Sequence, residues 1–208
     1  MFFTKVRFVY VDTDYLKYLH SVDSEVFYEA NSSYHLKPHL GILLEQNGKK
    51  YVIPLTSAKE KHRKWADVSA SWYRIYEIVD ITKDPVRKND ILVPIRNQTI
   101  LQSLDPLSQS HYRQRILSVL DMRKMFPVSD NLYHEIDFKI APSLSLPEKQ
   151  RIFLMLKEYD FLLHRIDAIE IKVNKIYNKQ ILQGKVLKYH CNFKNLESAL
   201  DRYNSFSL

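Results

Sequence analysis

Residues 35–65 read H-L-K-P-H-L-G-I-L-L-E-Q-N-G-K-K-Y-V-I-P-L-T-S-A-K-E-K-H-R-K-W, and this stretch decides the fold. Two apolar runs, 40–44 and 51–55, flank Gln46-Asn47-Gly48, and Asn-Gly supplies the positive φ angles that a two-residue type I′ turn requires. An antiparallel hairpin is expected. Lys37 enters its first strand, while Thr56, Ser57, Lys59, Lys61 and His62 leave its second, so both groups arrive at the open end. Hydroxyls, ammonium groups and an imidazole are thereby expected close together.

Charge is concentrated in the same place. Residues 37–64 hold seven Lys or Arg against Glu45 and Glu60, a net of +5 in a chain whose total is +7. Residues 164–208 supply eight against four, a net of +4, while 1–36 come to −2 and 65–163 to zero. Two separated segments carry the basic character, and they make one patch only if the fold joins them. A surplus of this kind favours a polyanion as partner, nucleic acid before membrane.

The 208 residues are most simply one domain, 1–208, long enough to bury a real core. With only three glycines, a phosphate-cradling glycine loop or a dinucleotide fingerprint is nearly excluded. The single cysteine, Cys191, rules out an internal disulfide and a Cys-based zinc site, and it fits a reducing cytoplasm. The start, M-F-F-T-K-V-R-F-V-Y, lacks the pattern of a signal peptide, and no apolar run nears the roughly 20 residues of a membrane span. Fourteen tyrosines beside many cations suit contact with unstacked bases, although each also serves as an amphipathic core residue.

Along the chain, residues 6–11 alternate as a strand with one buried face, and Asp12 or Thr13 caps a short helix with Leu16 and Leu19 inward. Residues 21–34 read as irregular. Residues 68–78 predict a third long strand and 91–95 a fourth, with Pro94 marking an edge or bulge. Residues 112–125 have helical spacing at Ile116, Leu117 and Leu120, and 133–140 reads as a possible further strand. Ser145-Leu146-Pro147-Glu148 is a capping box, and apolar residues then recur at 152, 155, 159, 162, 166, 169, 173 and 176. A continuous helix over 146–182 would be roughly 55 Å long, so this long C-terminal helix must bend or overhang the body. Gly184 stops it, and Asn192 caps a terminal helix after Lys185, Lys188 and His190.

Three pieces together resemble a known family. They are the N-terminal strand and helix with D-Y-L-K-Y-L, the block K-P-H-L-G-I-L-L-E-x-N-G-K-K-Y-x-x-P-L-T-S-x-K-x-K-H, and the ending L-Q-G-K-V-L-K-Y-H-C-N-F-K-N-L-E. They are similar to the ToxN/AbiQ endoribonuclease toxins of type III toxin–antitoxin systems, over about residues 1–95 and 147–203. The resemblance implies an α+β fold: one compact domain with a strongly twisted, mainly antiparallel sheet flanked by helices, similar to the Kid/MazF type of RNase toxin. It implies metal-independent cleavage of cellular transcripts with no cofactor. It further implies inhibition by antitoxin RNA repeats that the toxin cuts out and then holds in a closed protein–RNA assembly. By position, the important groups would be Tyr15, Tyr34, Lys37, Thr56, Ser57 and Lys59, with His62 matching a histidine that often ends the motif. Ala58 stands where many members have proline.

Chemistry alone supports part of this. Metal-free cleavage needs a group to take the 2′-hydroxyl proton, one to protonate the departing 5′-oxygen, and positive charge at the phosphorane oxygens. Lys37, Lys59 and the Thr56 and Ser57 hydroxyls or amides can supply the charge term, since a turn opening into a helix aims N–H groups at an anion. His62, with an ordinary pKa near 6.5, is a secondary acid or base. Lys61, Arg63 and Lys64, with Lys185, Lys188 and His190, are expected to track RNA phosphates. No acidic cluster suggests a metal site, and His35 and His39 on one strand face would lie roughly 13 Å apart, too far for one ion. Two other classes fit the same residues: an RNA-binding module without catalysis, and a coiled-coil protein built on the 152–176 seam.

Overall fold

The computed structural model describes residues 7–28, 41–46 and 48–206, of which 41–44, 46 and 206 are described by backbone alone. The Asn-Gly hairpin forms where expected: β2 (Gly41–Gln46) and β3 (Lys49–Ser57) are antiparallel, with Gln46 opposite Lys49 and Gly41 opposite Pro54. Gly48 takes the positive φ, +73°, that the tight turn demands. On the other edge of β2 lies β1 (Phe8–Val11), Phe8 facing Ile42.

β3 is the strand that joins two halves of the sheet. Its residues 50–52 pair with β7 (Phe126–Val128), whereas 55–57 pair with β6 (Tyr112–Asp121). Pro54 falls just between the two partners, where a missing N–H does least harm to the ladder. With β4 (Trp72–Asp80), β5 (Ile91–Val93) and β8 (Tyr133–Glu135), the order is β4-β6-β3-β2-β1-β8, β5 lying at the edge of β6. All pairings among the described residues are antiparallel.

The expected helix over 112–125 is wrong. The segment is β6, the strand that pairs with β4 on one edge and with β3 and β5 on the other. Ile116 and Leu120 are four apart, a spacing that satisfies a period of two as well as one of 3.6. The buried Gln114 and Ser118 on the same alternation show which period won. The third strand starts later than expected, at Trp72, because the Ser69 hydroxyl accepts the amides of Ser71 and Trp72 and turns the chain, leaving Val68 in a single bridge to Tyr73.

Helix α1 (Thr13–Val22) is capped by the Asp12 carboxylate, which accepts the Tyr15 amide at 2.8 Å. After the short α2 (Gln98–Ser103), the Ser145 capping box opens α3 (Leu146–Leu163), but the single long helix is corrected by a break at His164 and Arg165, after which α4 (Ile166–Ile181) continues. The Arg165 guanidinium folds back to the Phe161 carbonyl at 2.9 Å and over its ring at 3.7 Å. The break lets the seam follow the body: Ile152, Met155 and Leu162 before it, Ile169 and Val173 after it, are all buried in the main core. α3 packs on β4 and β6, and α4 packs on α5 (Phe193–Phe206). The seam thus faces the interior of its own chain, which removes the basis for a coiled-coil protein. No helix among the described residues is long and apolar enough to cross a membrane.

Candidate active site and nucleic-acid interface

Thr56 and Ser57 end β3 opposite Val119 and Ser118, Thr56 half-buried and Ser57 exposed. The ladder stops with the Ala58 amide bonded to the Leu117 carbonyl at 3.2 Å, and the chain enters a 3-10 turn, Glu60–Lys64. Lys59 is exposed, its ammonium 5.9 Å from the Phe27 ring centroid.

His62 has another task than the expected proton transfer. Its side chain is buried, and its Nδ1 accepts the Lys59 amide at 3.0 Å while its own amide donates to the Lys59 carbonyl at 2.8 Å. Burial, reinforced by Lys61 and Lys59, pushes its pKa down to about 4, so the ring is neutral at pH 7 and acts as the clamp of the turn. The amides of Ala58, Lys59 and His62 are all engaged inside the protein. At these three positions it is side chains, not backbone N–H groups, that face an anion.

The turn is fixed from beneath by a residue that sequence reasoning missed. Arg74 on β4 is fully buried, and its guanidinium donates to the carbonyls of Trp65 at 2.9 Å, His62 at 3.4 Å and Arg63 at 3.5 Å. It also donates to the Asp67 carboxylate and to Gln114 Oε1, and Gln114 returns a bond to Asp67 at 3.1 Å. One planar cation therefore ties the basic turn to β4 and β6.

Beyond the turn lies an aromatic and cationic surface assembled from residues 65, 72 and 123. The Trp65 and Trp72 rings are 4.5 Å apart between centroids. The Arg123 guanidinium lies 5.6 Å and 5.2 Å from them, gripped by Asp121 through bonds of 2.8 and 2.7 Å. Lys61 reaches within 6.0 Å of Trp65.

This surface also unites the two basic segments. Lys172 of α4 donates to the Ser69 carbonyl at 2.6 Å, and the Cys191 amide donates to the Arg123 carbonyl at 2.9 Å. Lys175, Lys179, Lys185 and His190 line a pocket with Ser71, next to Trp72. The helical spacing of 172, 175 and 179 is a signal that could have been read from the chain.

The remaining expected residues divide. Lys64, Lys185 and Lys188 are exposed, Lys188 lying 4.8 Å from the Tyr189 ring. Arg63 is paired with Glu60 at 2.6 Å and tied to the Leu92 carbonyl, so its charge is largely committed within the protein. His190 is buried, and burial followed by Arg123 holds its pKa below the ordinary value. Tyr15, which the resemblance places among the important groups, is not available to touch RNA here: it is fully buried, its hydroxyl donates to the Pro127 carbonyl at 2.7 Å, and its ring meets Tyr203 edge-on. Tyr34, Lys37, His35 and His39 lie outside the described residues.

A second buried titratable group lies behind the turn. Glu158 of α3 is next to Ser118, the partner of Ser57, and burial pushes its pKa up to about 7. The two groups act on stability with opposite signs. His62, depressed below its unfolded value, contributes stability that is complete above about pH 6.5 and is lost as pH falls toward 4. Glu158, raised above its unfolded value, contributes stability that is complete below about pH 4.5 and is lost as pH rises through 7. Urea unfolding across pH 4.5–6.5 should give Glu158→Gln a steeper rise of stability with pH than the unsubstituted protein. His62→Asn should give a shallower one. Identical slopes in all three proteins would contradict these placements.

Fold and surface together define a small basic α+β protein with hydroxyls, ammonium groups and a pair of tilted indoles on the side that would meet a polyanion. The chain belongs to the family described as toxin ToxN of type III toxin–antitoxin systems, whose profile matches residues 7–201. Among its relatives, the endoribonuclease ToxN of Bacillus thuringiensis subsp. kurstaki is 27% identical over 204 residues, covering 95% of this chain and 84% of the relative. The endoribonuclease ToxN of Pectobacterium atrosepticum is 25% identical over 202 residues, covering 97% and 94%. A solved structure from a study of bacterial type III toxin–antitoxin systems, on selective toxin inhibition by a non-coding RNA pseudoknot, shares the fold. Its TM-score is 0.65 at 23% identity, over 96% of this chain and 98% of that one.

Proposed function

We propose that this toxin is a metal-independent, sequence-selective endoribonuclease acting in the cytoplasm, which cuts transcripts and also processes, and is silenced by, a repetitive antitoxin RNA. The observation that carries the reading is the end of β3, where the Ser57 hydroxyl and the Lys59 ammonium emerge beside Thr56 from a turn clamped by His62 and Arg74. Relatives that cover nearly the whole chain are named endoribonucleases, and the 0.65 structural neighbour comes from a study of inhibition by an RNA pseudoknot. A Kid/MazF-like twist of the sheet belongs to the same reading, as does a closed assembly of toxin and RNA repeats.

The RNA's own 2′-hydroxyl gives up its proton to solvent water as its oxygen attacks the adjacent phosphorus, the bond to the 5′-oxygen breaks, and the products carry a 2′,3′-cyclic phosphate and a 5′-hydroxyl. Ser57 donates a hydrogen bond to the phosphorane oxygens, Thr56 joins it when its hydroxyl turns from the Val119 carbonyl that it meets at 3.4 Å, and Lys59 and Lys37 supply positive charge. Covalent geometry keeps Lys37 within about 14 Å of Gly41, which faces Pro54 at this end of the hairpin. With His62 neutral and buried, protonation of the leaving oxygen falls to an ammonium group, Lys37 or Lys59.

Incubation with a transcript containing its target sequence, in excess EDTA, separates this reading from a binding module without catalysis. Discrete fragments are expected. Intact RNA that nevertheless comigrates with the protein would favour the module.

A further inference from the structure

We propose that the pocket between α4 and the 69–71 turn receives one unstacked base of a single-stranded RNA, with the neighbouring phosphates on Lys175, Lys179 and Lys185. The proposal rests on RNA being this protein's partner, and it names a second contact point separate from the cleavage turn. The cavity measures about 260 Å³, a little below the roughly 300 Å³ at which small-molecule pockets usually begin, so it suits a base better than a larger cofactor. Ala70, Ile176 and Leu187 give it apolar walls, which a phosphate alone would not fill. Cations surround that apolar interior, and no carboxylate lines it among the described residues. Lys172 is already bonded to the Ser69 carbonyl, leaving the other three lysines to face a backbone.

The pocket's remaining wall has the chemistry to read a base edge. Gln180 is engaged with the Cys191 carbonyl and the Phe193 amide, which fixes the wall, and His190 stands beside it with an imidazole able to donate from one nitrogen and accept at the other. Ser71 connects the pocket directly to Trp72 and so to the Trp65–Arg123 surface. A strand leaving the cleavage turn passes the aromatic surface of Trp65, Trp72 and Arg123 before its base enters the pocket, and aromatic contact beside cations is how single strands are held without pairing.

The test uses fluorescence anisotropy on two probes that the protein cannot cut: a labelled 2′-O-methyl adenosine octamer and the same backbone without bases. Filling the cavity by Ala70→Leu/Ser71→Leu should weaken the base-bearing octamer about tenfold and leave the abasic one unchanged. Leu187→Asn, at an exposed wall, should give the same split through polarity instead of bulk, with unchanged thermal melting as the fold control. Lys175→Gln/Lys179→Gln should weaken both probes and lower the salt slope by about 1.4. Equal binding of the base-bearing octamer by the filled and unsubstituted proteins would overturn the pocket. An unsubstituted protein that binds neither octamer contradicts the RNA partner itself, and the pocket with it. Cleavage of a transcript alongside a failed octamer split contradicts only the pocket.

Discussion

Ser57→Ala and Lys37→Ala are each expected to slow RNA cleavage roughly 100- to 1,000-fold, the usual cost of removing one preorganised group at a developing oxyanion. Toxicity on expression should disappear in both. The reason for so large an effect is that few groups are available. The amides of Ala58, Lys59 and His62 are occupied inside the protein, so no backbone donor from those positions can substitute for a lost hydroxyl. Ser57 is exposed at a strand end, so its alanine variant should melt within a degree or two of the unsubstituted protein. RNA affinity should also persist, because Lys61, Lys64, Arg123 and the α4 lysines remain. Full toxicity in both variants would place the reaction elsewhere on the molecule.

Arg74→Met is expected to cost about 3–5 kcal/mol, because it strips a buried cation from a network that is then short of donors. The Arg63 and Trp65 carbonyls would lose the guanidinium outright, while the His62 carbonyl would keep only the Trp65 amide and the Asp67 carboxylate only the Gln114 side-chain amide. The melting temperature should fall by something on the order of 10 °C. Arg74→Lys should recover only part, since an ammonium is a point charge and cannot span acceptors placed around a planar fork. Amide exchange should rise first in residues 59–67, before the rest of the sheet. A loss below about 1 kcal/mol would mean that the turn holds itself.

How much of this was readable from the chain depended on how local each cause was. The hairpin was legible because Asn47-Gly48 and its flanking runs lie within a few residues of each other. The same holds for Ser145-Leu146-Pro147-Glu148, where cap and partner are three apart. β6 was misread because apolar residues four apart fit both helix and strand, and only pairing with β3 and β4 settles the ambiguity. The break at His164 and Arg165 had no Pro or Gly to announce it.

The site divides in the same manner. Thr56, Ser57 and Lys59 stand in one short run, so their proximity was readable before any fold. Tyr15 was misplaced although the chain held the answer: with Leu16 and Leu19 it occupies positions i, i+1 and i+4, one inward face of α1. His62 looked like a proton shuttle because its burial by Trp65 and its bond to the Lys59 amide are tertiary facts. Trp65, Trp72 and Arg123 come from three separate elements, and Arg74 is hidden inside an ordinary aromatic strand, W-Y-R-I-Y. No spacing rule assembles those four.

The most direct measurement is the identity of the ends left on a cleaved transcript in EDTA. Attack by the RNA's own 2′-oxygen, supported by the side chains of the 56–59 turn, predicts 2′,3′-cyclic phosphate on the upstream fragment and a 5′-hydroxyl on the downstream one. Fragments ending in a 3′-hydroxyl and a 5′-phosphate would contradict it, because they require water as the nucleophile.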